Sequence, residues 1–295
     1  MHPYATVAFA ESLAHWGKPF EVPEWGGGVM LREISAGLQD AAGIYPITPL
    51  NKNADIAGGL ARLRDVGLVS VVLVLDDFHR LHMNTLKEHF DTVDSFKPHY
   101  LYRPEKGEMI YGSHHKRAVK TAYKHVKVDV LDLRKHVHEW AELYDALIAK
   151  LGLSGLHAFP LAHHQQIAGI QGMVAIGAWM GDELVSCHIW ADDGEYVHSH
   201  LVASNDKGYE SRAAYAVNDT SLRYFSGRKL LNFGGGAGNS VGSDDGLARF
   251  KKGFSNDTAE SYICGAILDK EKYQQLVNAR KFNVPVRFFP AYRAP

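Results

Sequence analysis

Between residues 174 and 203 three β-rich runs follow one another with very short breaks: VAIGAW (174–179), LVSCHIWA (184–191) and YVHSHLVA (196–203). Gly181-Asp182 and Asp192-Asp193-Gly194 part them. Gly and Asp are the residues that tight hairpins need, so the segment reads as an antiparallel three-stranded meander. A sheet must bury one face against something else. The sequence supplies the cover at once: a helix at 212–225, a strand at 230–233 and a Gly-rich loop at 234–246. A short basic segment (247–254), a strand (263–268), a helix (270–280) and a last strand (284–289) follow. That order predicts an α/β chain with a mixed (α+β) sheet.

Upstream, LVSVVLVL (68–75) is a continuous apolar run, as expected of a strand covered on both faces. It is preceded by a helix at 57–66 and a short strand at 44–47 closed by Pro46, and it ends at Asp76. Residues 1–35 give loops around one short helix, with Trp16, Trp25 and Gly26-Gly27-Gly28. Pro98, Pro104, Gly107 and Gly112 mark 97–113 as a junction between two halves. The expected division is therefore 1–110 and 111–295. The second half opens on a helix at 114–126, and 135–151 is the clearest helix, with Val137, Trp140, Tyr144, Leu147, Ile148 and Leu151 at helical period.

Composition closes off several functions. With 295 residues the chain buries a core without staples, and its two cysteines, Cys187 and Cys264, read as buried free thiols of a reducing compartment. A net charge of −1 is far from that of a dedicated duplex-binding protein. The first sixteen residues lack the marks of a secretory signal, and no run is apolar for the length of a membrane helix. The expected location is cytoplasmic, with no membrane span. There is no Gly-x-Gly-x-x-Gly, no phosphate loop, no His-Glu-x-x-His and no cysteine pair at ligand spacing. His79/His82 and His198/His200 could each face one way on a helix or strand, and no metal or redox cofactor is expected.

LNFGGG (231–236) followed by DGLARFKKGF (245–254) resembles the strand, glycine loop and Phe-Lys signature of the Fem-like, peptidoglycan bridge-forming aminoacyltransferases. SHHKRAVKTAYKHVKVDVL (113–131) resembles the basic helix opening their second half, and YESRAAYAVNDTSLRYF (209–225) the helix beneath their acyl-binding groove. The resemblance covers roughly 113–290 and extends to related bacterial acyltransferases of the GNAT superfamily. It implies two GNAT-like halves in tandem with a cleft between them, and transfer of an activated acyl or aminoacyl group to an amine. Many members use aminoacyl-tRNA; others take acyl thioesters on coenzyme A or an acyl carrier protein. The sequence departs from the coenzyme A pattern, which places Gln/Arg-x-x-Gly-x-Gly/Ala before the main helix. Here Asn205-Asp206-Lys207-Gly208-Tyr209-Glu210 stands instead, and Glu210 would repel a pyrophosphate.

Lys251 is the first candidate for catalysis, since a fixed cation near the scissile carbonyl stabilises the developing oxyanion or holds donor phosphates. The plainer alternative is a solvated lysine beside Arg249 and Lys252. Phe250 would pack beside it and fix its backbone. Gly234, Gly235 and Gly236 permit close approach of a substrate, or form a tight turn. Asp76 could orient the incoming amine or accept its proton, or serve as a cap. Arg212 and Tyr215, at the start of the groove helix, are candidate substrate contacts. So are Lys116 and Arg117, in a basic stripe with Lys120, Lys124 and Lys127 that could track tRNA phosphates or face water. The expected partners are an acyl donor and an amine-bearing acceptor. Rival readings are a thioester-dependent acyltransferase, a Fem-like protein that only binds, and a histidine-based metal hydrolase.

Overall fold

The computed structural model describes residues 1–35, 37–76, 83–152, 154–236, 246–280 and 288–294. In chain order these form α1 (Val7–Ser12), β1 (Lys18–Val22), β2 (Gly27–Ser35), β3 (Leu38–Gly43), α2 (Ile56–Asp65), β4 (Ser70–Asp76), α3 (Met83–His89) and β5 (Thr92–Tyr102). There follow α4 (Ser113–Ala122), β6 (Lys127–Leu131), α5 (Val137–Leu151), α6 (Leu161–Ile167), β7 (Met173–Met180), β8 (Glu183–Asp192) and β9 (Tyr196–Ser204). The last are α7 (Asp206–Glu210), α8 (Ala213–Tyr224), β10 (Leu230–Asn232), α9 (Gly246–Lys252), β11 (Asp257–Ile267) and α10 (Lys270–Ala279). The fold is mixed α/β, as the order of runs predicts.

The chain divides into two compact units. The middle unit comprises Met1–Pro3 and Pro98–Ala259; the terminal unit comprises Tyr4–Lys97 and Glu260–Pro295. This differs from the expected halves, 1–110 and 111–295. The physical reason is strand pairing. Residues Ser261 to Ile267 of β11 lie antiparallel to β4, from Asp76 to Ser70, which ties the end of the chain to its beginning. Both boundaries fall inside strands, β5 and β11. The Pro/Gly-rich junction at 97–113 is in part strand, because β5 runs through Pro98 to Tyr102.

In the terminal unit β1, β2 and β3 pair antiparallel, and β3 runs parallel to β4 after a crossover through α2. Asp55 caps α2 by accepting from the Gly58 N–H at 2.8 Å. Trp25 is fully buried and donates to the Ile56 carbonyl from α2's first turn. A Cβ at Gly59 would stand 2.0 Å from the Trp25 indole nitrogen, so only glycine lets the ring seat there. Residues 27–35, which the sequence reads as loop, are strand β2. Gly28 pairs with Glu21, and a Cβ there would press to 2.7 Å on the Phe20 carbonyl. The expected strand at 44–47 is instead the bend after β3, with a cis Tyr45-Pro46 bond. Asp40, wholly buried, accepts from Arg32, Tyr292 and Arg293, which fastens the C-terminal segment to β3. The expected strand at 284–289 lies mostly outside the described residues.

The middle unit holds the predicted meander. β6 to β9 pair antiparallel in sequence order. The turns are as the residue types require: Gly181 has φ +60, Gly194 has φ +100, and the Asp192 and Asp193 side chains accept from turn N–H groups. α8 packs one face of the sheet through Ala213, Ala216 and Val217 against Trp190 and Val197. α5 lies against β8 and β9, with Trp140 fully buried.

Candidate functional site

The site grows out of a fork in the middle unit's sheet. β10 lies parallel to β9 over three residue pairs only, Leu230–Tyr196, Leu231–Val197 and Asn232–His198. The chain then leaves β9 and stays with β5: the Phe233 N–H donates to the Tyr100 carbonyl at 2.9 Å, and the Tyr100 N–H to the Gly234 carbonyl at 3.2 Å. Among the described residues β9 continues to Ser204 without a strand beside it on that edge. Parting strands expose main-chain donors and acceptors that an extended ligand can occupy.

Gly234 makes the turn at the fork, with φ +76. Its N–H donates to the Asn232 side-chain oxygen at 2.8 Å. Lys251, in the last turn of α9, donates from Nζ to the Gly235 carbonyl at 2.6 Å. A Cβ on Gly234 would stand 3.3 Å from that ammonium. The structure thus brings together Lys251, Gly234 and Gly235, with Gly236 next in chain. Lys251 belongs to a short helix and is half-buried, not a loop lysine in water. Residues 237–245 of the glycine-rich stretch lie outside the described residues.

Phe250 packs its ring edge-on to Tyr215, centroids 4.8 Å apart, and against Phe254 at 5.2 Å. Tyr215 meets His114 through its hydroxyl at 3.2 Å. Arg212 adopts the left-handed conformation, φ 58 and ψ 33, as the residue before α8, and its side chain is exposed. α4 ends at Ala122, about one turn short of the expected helix end at 126. Lys116, Arg117 and Lys120 are exposed on the helix, whereas Lys127 sits in β6 and pairs with Asp129. Asp76 lies in the terminal unit, buried at the end of β4 opposite Ser261.

Two groups of buried histidines were not singled out by sequence for this site. On the α8 side His188 stacks on Trp190, centroids 3.8 Å apart, and its Nε2 is 2.8 Å from the Ser199 hydroxyl. Burial lowers its pKa to about 3, and the nearby Lys251 charge pushes the same way. The other group includes His198 and His200 of β9, with His200 at the bulge where the register of β9 with β8 shifts. His200 and His163 centroids are 5.9 Å apart, and His163 is followed by His164 on α6. The Trp140 indole N–H donates to His164 Nδ1 at 3.0 Å. Burial lowers the His164 pKa to about 4 and holds that of His200 well below its ordinary value. Asn232 reaches His99 at 3.0 Å and His198 at 3.4 Å, joining this group to the glycine turn. Among the described residues no three His, Cys, Asp or Glu side chains are placed to hold a metal ion. His79 and His82 lie outside them. Cys187 and Cys264 are buried free thiols, their pKa values raised by burial, so neither is a thiolate nucleophile.

The segment expected to replace a pyrophosphate loop is a helical turn. Asn205 caps α7 by accepting from the Gly208 N–H at 2.9 Å, and the N–H groups of Tyr209, Ser211 and Arg212 bond to carbonyls of the same turn. Beside Asn205 lies a cavity of about 580 Å³ whose wall carries Glu139, Glu142, Asp182 and Glu183. Among the described residues no helix is long and apolar enough to cross a membrane.

No family profile matches the chain, and no curated protein sequence matches it either. Solved structures do. FemX superposes with a TM-score of 0.64 at 12% identity, over 92% of this chain and 93% of its own. The C-terminal domain of a chain assigned as a lysylphosphatidylglycerol synthetase from Agrobacterium fabrum gives 0.63 at 11% identity, over 92% and 91%. L-PGS from Bacillus licheniformis gives 0.60 at 11% identity, over 96% and 98%. The chain therefore has the fold of these proteins along almost its whole length, as the Fem-like resemblance implies.

Proposed function

We propose that the chain is a Fem-like N-acyltransferase that moves an aminoacyl group from aminoacyl-tRNA to an amine. The observation that carries this reading is the fork of β9 and β10 with a lysine ammonium fixed at its mouth by Lys251 and the glycine turn. An acyl arm can lie along the open edge of β9, and its carbonyl oxygen meets a donor that is already in place. Acyl transfer builds negative charge on that oxygen, and a preorganised cation stabilises it without reorganisation. The amine attacks the carbonyl carbon, the C–N bond forms, the ester bond to the donor's ribose breaks, and the ribose oxygen leaves as a hydroxyl with the proton that the amine gives up.

The donor assignment rests on charge. A coenzyme A pyrophosphate needs free N–H groups before α8, and those of Gly208, Tyr209, Ser211 and Arg212 already bond to Asn205 and to carbonyls of the same turn. Four carboxylates beside Asn205 would repel it further. By contrast Lys116, Arg117 and Lys120 make no ion pair among the described residues and stand open to a polyanion. The shared fold with FemX and with lysylphosphatidylglycerol synthetase chains supports the same reading.

The test is a binding titration with coenzyme A beside one with charged tRNA, each at two salt concentrations. Charged tRNA is expected to bind and to weaken as salt rises, with the shallow slope of a few phosphate contacts. Tight, nearly salt-independent binding of coenzyme A with none of tRNA would overturn the donor and leave acyl transfer in place.

A further inference from the structure

We propose that His115 is the positioning residue that sets the Lys251 ammonium against the glycine turn. Its consequence for catalysis rests on the acyltransfer reading; its geometry does not. His115 Nε2 lies 3.0 Å from the carbonyl oxygen of Phe250, the residue immediately before Lys251. A carbonyl only accepts, so Nε2 carries the proton and donates. The ring is wedged between Tyr215 and Phe254, with centroids 5.2 and 5.1 Å away. It reaches the carbonyl only because residue 253 is glycine: a Cβ there would fall 2.0 Å from Nε2.

α9 needs such a tether. It spans seven residues, fewer than an isolated helix requires to persist, so its place is set by contacts outside itself. Among the described residues no side chain of α9 is fully buried. The glycine turn is anchored separately, through the Asn232 side chain on the Gly234 N–H. The bond from Lys251 Nζ to the Gly235 carbonyl therefore joins two independently fixed pieces of chain, and His115 fixes the one that carries the lysine. The sequence offers no local sign of this, since the two partners are 135 residues apart. An ammonium that moves by ~1 Å loses its line to the oxyanion, a displacement that costs about a hundredfold.

The experiment compares His115→Leu with His115→Gln. Leucine keeps apolar contact with Tyr215 and Phe254 but removes the donor; glutamine returns an N–H close to the Nε2 position. Lys251 is acylated with an amine-reactive reagent and its modification rate read by peptide mass spectrometry, beside turnover. In His115→Leu the lysine is expected to label several times faster. Turnover is expected to fall by about tenfold to a hundredfold, and glutamine should restore both. In a Lys251→Ala background, leucine at 115 should cost nothing more. Unchanged labelling of Lys251 in a folded His115→Leu protein overturns the proposal, and so does an equal further loss without the lysine. If His115→Leu does not fold, Gly253→Ala displaces the ring while keeping it, and the same faster labelling is required. A wild-type protein that transfers no acyl group would defeat the acyltransfer reading alone, because the labelling still decides the role of His115.

Discussion

Lowering the pH from 7 to 5 is expected to cost the middle unit roughly 4 kcal/mol of stability, about 2 each from the buried His164 and His188, with the buried His200 acting in the same direction. His164, His188 and His200 are all buried and are held neutral, chiefly by desolvation. The His164 pKa is lowered to about 4 and that of His188 to about 3, while an unfolded chain titrates near 6.5. Between those values the unfolded chain binds protons that the folded one refuses. Stability is therefore complete above about pH 6.5 and drains as the pH falls toward 4. Geometry supports this independently of any titration. His164 Nδ1 accepts from the Trp140 indole, which a protonated imidazole cannot do. The carboxylate of Asp257, held low by Lys106 and Arg103, gives way only at still lower pH and adds nothing in this window. A loss of this size approaches the whole stability of an ordinary domain. Urea denaturation at pH 7, 6 and 5 checks it; a midpoint that does not move over that range would exclude the buried neutral histidines.

Replacing Lys251 by alanine is expected to cut turnover by about a hundredfold to a thousandfold, or ~2.7–4 kcal/mol of transition-state stabilisation. The side chain is half-buried in a short helix and donates to the Gly235 carbonyl, so the fold should survive its loss. Gly234 turns the chain at φ +76, where a Cβ would press to 3.3 Å on the ammonium, and Asn232 holds that turn from behind. Arginine at 251 keeps the charge but is longer and planar, and it should recover only part of the rate. Turnover close to wild type in a folded Lys251→Ala protein would remove the lysine from the mechanism.

The parts of the fold legible in the sequence are those whose cause is local. Turn chemistry at Gly181 and Gly194 marks the meander, and helical spacing of Val137, Trp140 and Tyr144 marks α5. β2 and β5 are hidden because Gly27, Gly28 and Pro98 sit inside them, residues that usually end strands. The division into units is hidden for another reason. It depends on β11 returning to β4 across nearly two hundred residues, and pairing at that range has no local signal. The site splits the same way. Lys251, Phe250 and the glycines stand close in sequence and form one recognisable stretch, whereas His115 and His188 join them from separate elements. Asn232 was visible as a lone polar residue in the apolar run before the glycines, the one clue that its side chain works inside the fork.

The proposed transfer of an aminoacyl group to an amine can be followed in a label-transfer assay. The protein is mixed with tRNA carrying a radiolabelled amino acid and with a simple primary amine in excess, and acetyl-CoA is run in parallel as donor. Labelled amide is expected from charged tRNA and none from acetyl-CoA, and the product should nearly disappear with Lys251→Ala. Amide from acetyl-CoA with no transfer from charged tRNA would contradict the proposal.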